Sequence, residues 1–118
     1  VARASVRRVV LAVVASDDTF DRVELRGDAV WRGKCIHCGS ALVVSEAGEP
    51  LGQATLEHIV PRAHGGTDDV ANLALACARC NHAKGRRQDA RGPRDPGYQA
   101  MVERLLARKA ARRREPCM

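Results

Sequence analysis

The chain has 118 residues, 45% of them hydrophobic but only 3% aromatic, with five cysteines and a formal net charge of +6. That length admits one domain, residues 1–118, with a modest core, and so few large side chains call for a disulfide or metal staple. No apolar run is long enough to span a bilayer, which excludes a membrane-crossing helix as the basis of function.

Residues 4–15 place Val6, Val9, Val10 and Val13 on one helical face, with Arg3, Arg7 and Arg8 at its start. Their β-branched content keeps a buried strand open as the alternative. The apolar run Val9–Ala15 follows two arginines, as in a signal peptide, but Ser16–Asp18 offers no small-residue cleavage site. A cytoplasmic protein is the expectation, since free thiols suit a reducing compartment. Residues 22–25 and 29–32 flank Arg26-Gly27-Asp28 as a short hairpin, with Trp31 as a packing anchor.

Cys35-Ile36-His37-Cys38-Gly39 then reads as a metal knuckle. Residues 41–45 and 54–59 read as strands separated by the turn-rich segment 46–52. Pro61 ends the second of them, and Gly65-Gly66-Thr67-Asp68 is a loop in which His64 is exposed. Residues 69–76 form a turn-to-strand segment centred on Asn72. A second pair, Cys77 and Cys80, opens a helix that runs to about Arg87. Residues 91–97, with two prolines and two glycines, break the chain. Met101, Val102, Leu105 and Leu106 then repeat at helical spacing within an amphipathic helix over 98–114.

Charge is unevenly spread. Residues 84–114 carry eleven Lys/Arg against three Asp/Glu, whereas residues 1–83 carry nine against ten. A basic C-terminal third is the footprint of a polyanion binder, and a solvated charged helix is the competing explanation. On the first reading the helix is an appendage that binds nucleic acid and can be removed without unfolding the metal-stapled part.

Two Cys-x-x-Cys pairs in one small chain point to a structural Zn²⁺ site on Cys35, Cys38, Cys77 and Cys80. His37, inside the first knuckle, could replace a cysteine, although four thiolates already suffice. Cys117 is left as a free thiol. Thirty-eight residues separate the pairs, so a sub-structure is inserted between the halves of the site.

That insert reads Glu57-His58-Ile59-Val60-Pro61-Arg62-Ala63-His64-Gly65-Gly66, then Asn72-Leu73, then Cys77-Ala78-Arg79-Cys80-Asn81-His82-Ala83-Lys84-Gly85. Over residues 35–87 the chain resembles the HNH endonuclease family. The resemblance implies a small α+β fold: a ββα-metal core stapled by the four-cysteine site. An N-terminal helix and hairpin and a C-terminal helix flank that core. It also implies a metal-dependent endonuclease that hydrolyses phosphodiester bonds in nucleic acid, double-stranded DNA before RNA. His58 stands at the general base and Asn72 at the residue that holds the catalytic loop. Glu57 stands where the family more often has Asp, as a ligand of a catalytic Mg²⁺ or another divalent ion.

Adjacent strand residues point to opposite faces, so the strand must end or distort if Glu57 and His58 serve one site. At the motif's last letter the family's histidine is replaced by Asn81, and His82 follows one residue later. A helical step of about 100° turns His82 away, which favours Asn81 as the second ligand and leaves His82 as the alternative. Arg62, Arg79, Lys84, Arg86 and Arg87 are the candidates for gripping phosphates. The rival function is a zinc-dependent nucleic-acid-binding module whose catalytic site has decayed.

Overall fold

The computed structural model describes residues 2–116, with side chains from Ser5 onward. The free thiol expected at Cys117 and the side chain of Arg3 lie outside these residues. The chain opens with a helix, α1 (Ala2–Ala15), and not with a strand. Val10, Val13 and Val14 are fully buried, an i, i+3, i+4 set that holds the helix despite its β-branched side chains. The run that resembled a signal peptide is therefore a core element. Asp17 ends it: one carboxylate oxygen accepts from the Thr19 amide and hydroxyl, both at 2.8 Å, and turns the chain.

Strands β1 (Asp21–Leu25) and β2 (Asp28–Lys34) form the expected hairpin. Its two-residue turn has positive φ at both positions, 52° at Arg26 and 86° at Gly27. That is the turn whose twist matches a right-handed hairpin. Strand β3 (Ala41–Ser45) pairs with β2, and β4 (Pro50–Leu51) pairs with β3. The antiparallel order is β1-β2-β3-β4. Strand β4 lies inside the segment expected to be only turn. Trp31 is buried, with the Arg22 guanidinium 5.3 Å from its ring centroid.

A second, two-stranded sheet pairs β5 (Ala54–His58) with β6 (Leu73–Cys77), and helix α2 (Ala78–Arg87) follows β6 directly. This is a ββα unit with a long connection, residues 59–72, between its strands. The protein is thus a small α+β fold whose ββα core sits beside a four-cysteine cluster.

The last helix, α3 (Pro96–Ala111), starts at Asp95, whose side chain accepts from the Tyr98 amide at 2.9 Å. Tyr98, Met101 and Leu105 are buried in the common core, while Leu106 faces outward. Arg108 donates to the carbonyls of Ile36 (2.7 Å) and His37 (3.1 Å). Arg112 donates to those of Lys34 and Cys35, and Arg114 to those of Ala15 and Phe20. The segment expected to be a basic appendage is thus packed into the common core. It supplies core side chains and charged donors to carbonyls of β2, the first knuckle and α1.

Candidate active site and metal centre

The four cysteines come from two element ends. Cys35 and Cys38 follow β2, and Cys77 and Cys80 straddle the junction of β6 and α2. All four sulfurs lie within 4.8 Å of one another, and those of Cys38 and Cys77 are 3.9 Å apart. Tetrahedral thiolate coordination with bonds of about 2.3 Å puts sulfurs about 3.8 Å apart, so the cluster has the size to hold one metal ion. The amides of His37 and Cys77 point at Cys35 Sγ, at 3.4 and 3.3 Å. Burial pushes the Cys35 and Cys80 thiols up, whereas hydrogen bonds from the Ser40 side chain and backbone bring Cys38 down to about 6. His37 takes no place in this cluster.

His58 ends β5, where it still pairs with Leu73. Its Nε2 lies 2.8 Å from Asp68 Oδ1, and the same oxygen accepts from Arg62 Nε (3.2 Å) and NH2 (2.9 Å). These contacts hold the Asp68 carboxyl below its usual range, the His58 hydrogen bond contributing most and Arg62 next. His58 Nδ1 makes no hydrogen bond among the described residues. The loop carrying Asp68 is fixed by Asn72. Its Oδ1 accepts from the Val60 amide at 2.9 Å, and its Nδ2 donates to the carbonyls of Val60 (3.0 Å) and Thr67 (2.8 Å). Gly66 is required here, because a Cβ would sit 1.7 Å from the Val60 carbonyl oxygen.

Glu57 occupies the other face of β5 and is 1% exposed. Its two carboxylate oxygens lie 2.7 and 2.9 Å from His37 Nε2, and it has no other side-chain partner among the described residues. Regular pairing runs through both Glu57 and His58, so the strand does not distort between them. Asn81, in the first turn of α2, donates from Nδ2 to Thr55 Oγ1 at 3.1 Å. Thr55 shares the strand face of Glu57, and Asn81 Oδ1 is left without a hydrogen bond among the described residues. A buried carboxylate partnered only by an imidazole, with a free amide oxygen on the same face, is a donor set that fits a divalent cation. His82 is exposed.

Comparison with known proteins shows which part of the chain has relatives. The stretch from residue 35 to residue 87 matches the HNH endonuclease family. The matched segment begins on the first knuckle cysteine and ends on the last residue of α2. It therefore holds both knuckles, β5, the loop, β6 and α2. Over 53 residues, 44% of this chain, the sequence is 40% identical to the CRISPR-associated endonuclease Cas9 of Corynebacterium diphtheriae. The match covers 4% of that relative's length. No solved structure matches the chain.

The cations expected to surround the candidate site divide. Arg79, Arg86 and Arg87 on α2 are exposed, and Arg79, His82 and Arg86 share one helical face. Arg62 is exposed but engaged with Asp68. Lys84 is a correction: it is 4% exposed, its Nζ donating to the His58 carbonyl at 3.0 Å and pairing with Asp89 at 2.9 Å. A buried, paired ammonium cannot grip phosphate; here it ties α2 to the end of β5. His64, expected to be exposed, is half-buried with its ring edge-on to Tyr98 at 4.8 Å.

Three residues that sequence reasoning passed over as parts of this site, His37, Asp68 and Asp89, touch Glu57, His58 and Lys84. Asp68 had a signal, lying in a loop the motif already marked; Asp89 lies beyond the motif and had none. A cleft of about 230 Å³ runs beside His58, Arg62 and Asp68 and is walled by Ser5, Val6 and Val9 of α1. A larger groove of about 950 Å³ between α1 and α3 contains none of the expected site residues.

Proposed function

We propose that the protein is a metal-dependent HNH endonuclease that hydrolyses phosphodiester bonds, with double-stranded DNA as the substrate and zinc in the four-cysteine cluster. The observation that carries this reading is the state of His58. One ring nitrogen is engaged by Asp68, the other is free, and the loop beside it is locked by the Asn72 carboxamide. A general base needs that combination of orientation and an open nitrogen.

On this reading Nδ1 of His58 accepts a proton from water, and the oxygen attacks phosphorus in line with the departing oxygen. Asp68 holds the proton on Nε2 and stabilises the imidazolium that forms, and Arg62 keeps Asp68 anionic. Glu57 and Asn81, on the face of β5 opposite His58, would hold a divalent ion whose charge would offset that of the phosphoryl and leaving oxygens where the substrate rounds the end of β5 at His58. Arg79, Arg86 and Arg87 position the backbone of the nucleic acid. Four cysteines kept as metal-binding thiolates suit a reducing compartment, which supports a cytoplasmic location.

A second reading, a zinc-dependent nucleic-acid-binding module, is favoured by Asn81 at the motif's last letter and by the closure of Glu57 under His37. Supercoiled plasmid incubated with protein and Mg²⁺ or Mn²⁺ separates the two. The endonuclease converts it to open circles and chelation stops the reaction, whereas the module retards the plasmid in a gel and leaves it supercoiled with every ion.

A further inference from the structure

We infer that His37 is a third protein donor to the divalent ion, supplying from the first knuckle the imidazole that the sequence lacks at position 81. The inference rests on the nuclease reading, since it concerns the ion on Glu57 and Asn81. His37 does not turn toward the four sulfurs beside it. Its Nε2 is aimed at the Glu57 carboxylate and lies 2.7 and 2.9 Å from the two oxygens. Two neighbouring ligands of an octahedral ion with bonds of about 2.1 Å sit about 3.0 Å apart, so this pair needs almost no movement to hold one ion.

The pair is also held in place from behind. Arg108 of α3 fixes the His37 carbonyl at 3.1 Å, the knuckle is joined to β6 through the Ile36 amide on the Leu75 carbonyl at 3.0 Å, and Glu57 lies within the β5–β6 ladder. Asn81 joins from α2 on the same strand face through Thr55. The cysteine cluster thereby does more than staple the fold: it presents a ligand to the second metal site. An imidazole, carboxylate and amide set favours Mn²⁺, Co²⁺, Ni²⁺ or Zn²⁺ over Mg²⁺, because nitrogen binds the softer ions better. If His37 only closed over a buried carboxylate, it would be displaced or bypassed when the ion binds.

The test is Mn²⁺ titrated into the zinc-loaded full chain. The electron paramagnetic resonance of free ion gives affinity, and pulsed measurement of nitrogen coupling to bound Mn²⁺ gives the ligand. The parent is expected to show imidazole nitrogen coupling. His37→Ala should keep its zinc, lose that coupling and bind Mn²⁺ about tenfold or more weakly. Glu57→Gln should lose the site, and His58→Ala and His82→Ala should keep the coupling. Should His37→Ala lose zinc, His37→Gln removes the ring while preserving a polar side chain.

Bound Mn²⁺ without nitrogen coupling in the parent, or no bound Mn²⁺, overturns the assignment. So does coupling that survives removal of His37 or disappears with His58→Ala or His82→Ala. The nuclease reading fails by a separate route, through cleavage that does not depend on His58, because the spectrum is read without turnover.

Discussion

Helices α2 and α3 are both arginine-rich, yet the arginines of α2 face solvent while three on and just beyond α3 turn inward. On α2, Arg79, Arg86 and Arg87 are exposed to solvent. On and just beyond α3, Arg108, Arg112 and Arg114 are turned inward onto carbonyls of the knuckle, β2 and α1. Net charge cannot tell these uses apart. What separates them is the neighbourhood: α3 runs past the end of β2, the first knuckle and the end of α1, whose carbonyls its arginines reach, whereas the outer face of α2 covers nothing. The exposed basic side chains of the C-terminal third are thus Arg86 and Arg87 of α2 with Arg91, Arg94, Arg104 and Arg113, while Lys84, Arg108, Arg112 and Arg114 are turned inward.

That contrast can be broken most severely at the element both helices depend on. Cys77→Ser/Cys80→Ser should release the metal and abolish the cooperative thermal transition, since removing ligands removes binding energy that is also folding energy. An unchanged melt with no metal in elemental analysis would show that the cluster is not a staple.

Next in size is the packing of α3. Leu105→Ala should cost about 2–5 kcal/mol by leaving a cavity. Arg108→Ala should cost about 1–3 kcal/mol by leaving two partly buried carbonyls without a charged donor. A chain ending before Pro96 should not fold. If it instead retains metal and a cooperative melt, α3 is an appendage after all.

The arginines of α2 should behave inversely. Arg86→Ala/Arg87→Ala is expected to leave stability within about 0.5 kcal/mol. Each phosphate that these side chains no longer neutralise should reduce the slope of log affinity against log salt on duplex DNA by about 0.9. Arg112→Ala should lower stability and leave that slope alone. Equal slopes in all variants would place the nucleic-acid interface elsewhere.

The smallest expected effect is at Asp68. Because its carboxyl is held below the usual range, by His58 first and Arg62 second, its contribution is complete above the ordinary aspartate value of about 3.9 and is lost only as pH falls through the lower folded value. Asp68→Asn should therefore slow nicking by a similar factor at every pH between about 5 and 8. A deficit that vanishes toward neutrality would mean that Asp68 does not orient His58.

Much of this architecture was legible because it is written in local patterns. Gly27 marked the hairpin, the two cysteine pairs marked the cluster, and the spacing of Asn72 from His58 marked a residue whose carboxamide is seen tying the loop together. Strand β4 escaped notice because two residues carry no periodicity. The roles of Lys84 and Arg108 escaped because a long cation reads the same in sequence whether it faces water or a buried carbonyl. The facing of His37 escaped because its partner lies twenty residues away on another sheet, and only the approach of the knuckle to β5 brings the two together.

The central claim, that His58 activates water in a metal-dependent nuclease, is tested most directly by the nicking rate of His58→Ala against the parent, with zinc content and thermal melt measured on the same samples. The substitution removes the base and leaves both knuckles intact, so zinc and fold should persist while the rate falls by about 10²–10⁴. A folded, zinc-replete variant that nicks plasmid as fast as the parent with every divalent ion would contradict the account.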